Sequence, residues 1–181
     1  MTLRRRSAVH DQPDILALLL RLQQEHGVEA MSDVAILEMI RTLLLAGYET
    51  TASTLGWIAE RVTRHPNVLA RLDESVAGGD DEYIDAVVAE TMRLRPVAPF
   101  TSRLVVKPFD LDGLHLEPGV LLTPFIWLVH RRADVYPEPS AFQPERFVGR
   151  QPDTYAWIPF CGGLRKCLGG PFALLEMRTV L

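Results

Sequence analysis

The sequence predicts a mainly α-helical fold with a small β region. Apolar residues recur at helical spacing through most of the first half, whereas alternation broken by turn dipeptides is confined to about 96–125. Composition fits a packed domain: 48% of the 181 residues are hydrophobic and 23% charged, far from the profile of a disordered chain. With 19 Lys and Arg against 23 Asp and Glu, the net charge of −4 excludes a generally basic protein that coats nucleic acid.

The helices fall within about 12–65 and 66–95. Pro13 to about Glu25 carries Ile15, Leu16, Leu18, Leu19 and Leu22 at helical spacing, and His26-Gly27 is a stop. Ser32 suits an N-cap for a pattern running through Ile36, Ile40, Leu44, Leu55, Ile58 and Val62 to His65-Pro66. At the helical rise its thirty or so residues make a rod of about 48 Å, a length expected to cross the centre of something larger. Pro66 opens a third helix that Gly78-Gly79 closes, and a fourth runs from about Asp81 to Leu94, before Pro96.

The region 96–125 reads as strands at Arg103–Val106 and Leu114–Leu116, with turns at Asp112-Gly113 and Pro118-Gly119. From 126 to 170 the chain is rich in Pro and aromatic residues and reads as a long structured loop, the kind that usually carries function. A last helix is expected from about Leu168 to Leu181.

Several chemistries are excluded early. Cys161 and Cys167, five residues apart, are neither a zinc knuckle nor a disulfide framework, which favours a reducing, cytoplasmic compartment. The histidines form no zinc-protease pair. Arg4-Arg5-Arg6 precedes an apolar run too short for a good signal peptide, and Val120–Val129 is too short to span a bilayer core of about 30 Å, so no membrane segment is expected.

Four stretches carry chemistry. Phe160-Cys-Gly-Gly163-Leu-Arg165-Lys-Cys167-Leu-Gly169-Gly170 leads through Pro171 into a helical pattern. Its glycines permit a tight loop with N–H groups turned toward Cys167, and a sulfur at the mouth of a helix is stabilised as a metal-ligating anion. Arg165 offers a bidentate fork to a carboxylate on the same side. Taken alone, Cys167 reads equally as a small hydrophobe in a glycine-rich turn. Glu90-Thr-Met-Arg93 places two opposite charges on one helix face, a pair worth about 0.3–0.5 kcal/mol on a surface. The third stretch is Phe142-Gln-Pro-Glu-Arg146-Phe147.

The fourth, Ala46-Gly47-Tyr48-Glu49-Thr50-Thr51, lies mid-helix, where Gly costs about 1 kcal/mol relative to Ala. A local distortion with a purpose is therefore expected there. Ala46 and Thr50 lie one turn apart on one face, leaving room for a ligand within reach of the Thr50 hydroxyl; close helix packing through small residues is the other reading.

The cysteine pattern F-x-x-G-x-R-x-C-x-G resembles the haem-binding loop of the cytochrome P450 superfamily. The other stretches are similar, in the family's order, to its A-G-x-E/D-T-T, E-x-x-R and PERF motifs. The resemblance spans about Gln12 to Leu181 but covers less than half of the family's fold. It implies one partial domain over 1–181, the C-terminal portion of the P450 fold, incomplete as given. It also implies heme b (iron protoporphyrin IX) with Cys167 as the iron ligand. Phe160, Gly163, Gly169, Ala46 and Gly47 count among the implied cofactor-binding residues, and Arg165 and Arg103 as propionate partners, although Arg103 also reads as an exposed strand arginine.

By the same resemblance, Thr50 holds the oxygen intermediate and its water, Glu49 connects to bulk solvent, and Glu90, Arg93 and Arg146 form a buried structural triad. The implied activity is a monooxygenase that inserts one atom of dioxygen into a small apolar organic substrate, with electrons from a ferredoxin, a flavodoxin or a reductase. Thiolate ligation favours O–O cleavage, and a hydroxyl backed by a carboxylate is a reasonable proton relay. Val97 to Phe100 read as pocket lining or as core, and Lys166 as a docking charge or as ordinary surface. Two departures stand out: Cys161 replaces the family's usual Gly or Ser, and His130-Arg-Arg-Ala133 is a degraded N-R-D-P segment. The competing class is a non-enzymatic truncated remnant or split-gene fragment.

Overall fold

The computed structural model describes residues 14–29, 31–150 and 153–181. The basic start Arg4 to Arg6 and the expected opening of the first helix at Gln12 and Pro13 lie outside the described residues. The chain divides into two units, Met1–Glu49 and Thr50–Leu181.

In the first unit, helix α1 (Ile15–His26) begins where the Asp14 carboxylate accepts the Ala17 N–H at 2.8 Å and ends at Gly27, whose φ of +85° suits glycine. Its buried Leu19 and Leu20 pack on Ile36, at the start of helix α2 (Asp33–Thr63). Gln23 fastens the connection: its Nε2 donates to the Met31 carbonyl (2.7 Å) and to Asp33 Oδ1 (3.0 Å). Ser32 caps α2, with Oγ accepting the Ala35 N–H at 3.2 Å. Ala46 to Thr51 are α-helical like the rest of α2, with no 3₁₀ or π turn among them. A single glycine cost of about 1 kcal/mol is minor beside the cooperativity of so long a helix.

The second unit is built around α4 (Asp81–Leu94), in which every residue from Ala86 to Leu94 is buried. Asp80 starts it by accepting the Glu82 N–H at 3.0 Å. Before it, α3 (Pro66–Gly78) opens with Pro66 and closes at Gly79, which takes a left-handed φ of +71°. Ile58 and Val62 of α2, Val68 and Leu72 of α3, Val87 and Met92 of α4, and Met177 of the last helix close one apolar core.

Two small antiparallel sheets follow. Strands β1 (Arg103–Leu104) and β4 (Leu121–Leu122) pair with each other, as do β2 (Phe109–Leu111) and β3 (Leu114–Leu116). Asp112 and Gly113 both have positive φ, +49° and +82°, as the tight β2–β3 hairpin turn demands. Strand β1 is shorter than the expected Arg103–Val106. Val105 exchanges bonds with Val120 and Gly119 at 2.9 Å each, so two residues face one and the ladder becomes irregular.

A short helix α5 (Ile126–Val129) and a 3₁₀ turn (Pro144–Phe147) punctuate the long loop, and the turn packs on α4. The last helix, α6 (Gly170–Val180), starts two residues later than expected, because Pro171 occupies its first turn with no N–H to satisfy. It docks on α4 through Met177 and through Arg178, whose Nε donates to Asp85 Oδ1 at 2.7 Å.

The Glu90–Arg93 pair, which by its spacing alone could sit on a helix surface, is fully buried. Arg93 and Glu90 are both 0% exposed, and Arg93 Nε and Nη2 donate to the two Glu90 carboxylate oxygens at 2.6 and 2.8 Å. The remaining guanidinium donors reach the carbonyls of His130 and Pro139 (2.8 Å each) and Ala141 (3.1 Å), so all five N–H groups are used. Arg146 Nε approaches Glu90 Oε1 at 3.5 Å, while its Nη2 donates to the Glu138 carbonyl at 3.0 Å. Breaking such a group leaves a buried carboxylate without its cation. Arg93→Ala is expected to cost about 3–5 kcal/mol. Urea unfolding measures this, and a loss below about 1 kcal/mol, the range of a surface pair, would contradict it.

Candidate cofactor site

The candidate site is a loop between Phe160 and Gly170, held from both sides. At its base the Cys167 N–H donates to the Phe160 carbonyl at 2.9 Å, which closes the turn. Phe160 meets Trp157 edge to face, with ring centroids 6.1 Å apart, and Trp157 Nε1 donates to the Ala89 carbonyl of α4 at 3.1 Å. At the far end Gly170 has to be small, since an added Cβ would lie 3.3 Å from the Phe160 ring. Gly163 needs a left-handed φ of +63°.

Gly162 and Gly169 are different: neither has positive φ, and a Cβ on either would meet nothing within 4 Å. One side of the loop is therefore open. The Cys167 thiol is exposed, and so are Arg165 and Lys166. Leu164, Leu168 and Phe172 are 106%, 86% and 70% exposed, an unusual state for large apolar side chains beside a thiol. Among the described residues the N–H groups of Leu168, Gly169 and Gly170 make no hydrogen bond. An exposed thiol, unpaired amides at a helix start, open glycines and bare apolar side chains together fit a flat, largely apolar group ligated through sulfur.

Arg103 reaches the same place from β1. It lines a groove with Thr101, Ile126, Ile158, Cys161 and Gly162, and its Nη1 donates to Thr101 Oγ1 and the Ser102 carbonyl, both at 2.8 Å. Phe160, Gly163, Arg165, Cys167 and Gly169 thus share one loop, and Arg103 borders it. Ala46, Gly47 and Glu49 belong to the first unit and are exposed; Thr50, also exposed, opens the second. Thr50 contributes its carbonyl to Thr54 Oγ1 at 2.9 Å. Glu90, Arg93 and Arg146 lie together beneath the 130–141 segment and do not line the groove.

Sequence reasoning treated His130 only as part of a degraded motif. The structure buries it completely and fills both ring nitrogens: Nε2 accepts the Ile158 N–H at 2.8 Å, and Nδ1 lies 3.2 Å from the Arg93 carbonyl. An amide can only donate and a carbonyl can only accept, so the ring is neutral with its proton on Nδ1. Burial above all, aided by the charges of Arg93 and Arg131 and opposed by the Arg93 carbonyl bond, holds its pKa down at about 4. The sequence signal was weak: a single histidine after an apolar stretch.

The cytochrome P450 family model matches residues 1–181, and the chain belongs to that family. It is 42% identical over 171 residues to a Mycobacterium tuberculosis protein provisionally named cytochrome P450 137, covering 94% of this chain and 36% of that one. It is 44% identical over 174 residues to a Mycobacterium bovis protein provisionally named cytochrome P450 135B1, covering 93% and 37%. A solved cyanobacterial CYP120A1 with retinoic acid bound matches with a TM-score of 0.85 at 29% identity, over 98% of this chain and 44% of that one. The chain thus spans little more than a third of the length of these curated relatives. Among the described residues no helix is long and apolar enough to cross a membrane.

Two outcomes follow for the loop. Cys161 has a φ of +60°, a left-handed conformation that strains a residue with a Cβ. Cys161→Gly is expected to raise stability by about 1 kcal/mol in thermal melts, and a lowered midpoint would sink that account. For His130 the folded pKa of about 4 lies below the ordinary 6.5, so its contribution is complete above pH 6.5 and is lost as pH falls toward 4. The groups facing it are Arg93 with its partner Glu90 on α4, and Arg131 beside it. Over that window the slope is roughly 1.4 kcal/mol per pH unit. Denaturation series of wild type and His130→Gln should diverge across the window; parallel series would count against the buried neutral ring.

Proposed function

We propose that this chain is the haem-ligating portion of a cytochrome P450 monooxygenase, with 1–181 as one partial domain of it. The enzyme inserts one atom of dioxygen into a small apolar organic substrate. The observation that supports this most is the Phe160–Gly170 loop, where an exposed thiol, unpaired amides and open glycines share one side. When bound, heme b supplies the iron at which dioxygen is reduced.

The chain's own residues have separable duties in this reading. Cys167 ligates the iron as a thiolate, and the amides that follow it temper the sulfur's charge. Arg103 and Arg165 pair with the two carboxylates of the macrocycle; each guanidinium presents a fork suited to a carboxylate. Phe160, Gly163 and Gly169 shape the floor, and Ala46 and Gly47 are small residues of the motif that the family uses beside its cofactor. The Thr50 hydroxyl, both donor and acceptor, holds a water and passes protons that the exposed Glu49 carboxylate gathers from solvent. Glu90, Arg93 and Arg146 act only by holding the frame.

Electrons come from a ferredoxin, flavodoxin or reductase, and the exposed Lys166 suits an acidic partner. A cytoplasmic setting is supported by two free thiols.

The reduced, CO-bound absorption spectrum of the haem-loaded protein tests the ligand. Cys167→Ala is expected to abolish the thiolate-type Soret band and Cys161→Ser to keep it; a thiolate band in the first variant would falsify the assignment. Failure of the wild-type protein to take up haem would favour the remnant reading. For the relay, Thr50→Ala should raise peroxide release while product falls by about tenfold or more. Unchanged coupling between oxygen consumed and product formed would remove Thr50 from that role.

A further inference from the structure

We propose that His130 is the positioning residue of the cysteine loop: its imidazole joins the carboxyl end of α4 to the backbone entering the loop, and so sets where Cys167 stands. This rests on the reading of Cys167 as the iron ligand. An uninterrupted series of hydrogen bonds links α4 to the loop. His130 Nδ1 donates to the Arg93 carbonyl (3.2 Å), and Nε2 accepts from Ile158 N–H (2.8 Å). The Ile158 carbonyl in turn accepts the Cys161 N–H at 3.0 Å, and the Phe160 carbonyl accepts the Cys167 N–H at 2.9 Å. Four bonds lead from the frame to the ligand.

The upstream end of the series is immobile. Arg93 is fully buried in its pair with Glu90, and its Nη1 also donates to the His130 carbonyl at 2.8 Å. His130 is therefore fastened to residue 93 by both its backbone and its ring, and its remaining nitrogen is the part that reaches the loop. The downstream end has fewer holds. Residues 162–169 are all exposed; among the described residues the side-chain hydrogen bonds that tie 157–161 to the rest of the unit are the Trp157–Ala89 bond and this imidazole, and the Trp157 and Phe160 rings pack against Phe147 and the apolar core. A side chain with an acceptor about 5 Å from its Cα is needed to reach Ile158, which asparagine is too short to supply.

Length and polarity can be separated by substitution. Glutamine carries an amide at the position of Nε2 and keeps the bond to Ile158. Asparagine carries one at the position of Nδ1 and keeps only the bond to Arg93. Leucine fills the space and keeps neither. The measurement is hydrogen–deuterium exchange by mass spectrometry on the haem-loaded protein, comparing the 158–167 segment with α4, together with the fraction of iron in the thiolate state.

In His130→Asn and His130→Leu, exchange over 158–167 is expected to accelerate about tenfold, the equivalent of one lost buried hydrogen bond, with α4 unchanged and the thiolate fraction reduced. His130→Gln should stay close to wild type on both readouts. The proposal is overturned if the asparagine variant exchanges like wild type, if glutamine is as damaging as leucine, or if α4 loosens as much as the loop. Should the leucine variant not fold, the asparagine and glutamine pair still decides. If exchange follows the pattern but the iron of the wild-type protein is not held by sulfur, the Cys167 reading fails and the positioning role of His130 stands.

Discussion

The structure depends most on the buried guanidinium of Arg93. A cation with no solvent access is tolerable only when each of its donors finds an acceptor, because an uncompensated buried charge costs several kcal/mol. Here a carboxylate one helical turn away takes two donors and three backbone carbonyls take the rest. Those carbonyls belong to a segment with almost no regular structure. A requirement for electrostatic satisfaction thus replaces secondary structure as the force that orders residues 130–141, and Glu90 adds the Gln143 N–H at 2.9 Å.

From that anchor the order passes outward and weakens. Tyr136, with the Arg93 guanidinium 4.9 Å above its ring, donates its hydroxyl to the Ala156 carbonyl at 3.0 Å, and Trp157 bonds to Ala89. The aromatic side chains Phe147, Trp157 and Phe160 then pass the packing from α4 to the loop. The glycines of the loop divide by cause. Gly163 answers to φ and Gly170 to the pressure of Phe160, whereas Gly162 and Gly169 answer to neither and face open space. Both stand in the same loop as the exposed Cys167 thiol, as the proposed cofactor reading requires.

The regions proposed to bear chemistry are also those that break local rules. Cys161 adopts a conformation better suited to glycine, Gly47 interrupts good helix formers, and large apolar side chains at Leu164, Leu168 and Phe172 are left exposed. Each is a small local cost. Such exceptions are expected where function rather than packing chose the residue.

Much of this protein could be read directly from its residues. Helical periodicity, Ser32, Pro66 and the glycine pair after α3 announced the helices, since capping and backbone freedom act over a few neighbouring positions. The tight turn from Phe160 to Gly170 was equally legible, because its glycine spacing is a local pattern. Long-range facts were not. That Glu90 and Arg93 are buried rather than solvated came from the resemblance and not from their spacing, and that His130 joins α4 to the loop depends on atoms distant in the chain. A helix-face ion pair looks the same in sequence whether water or a folded-over loop covers it, and only the packed structure decides which.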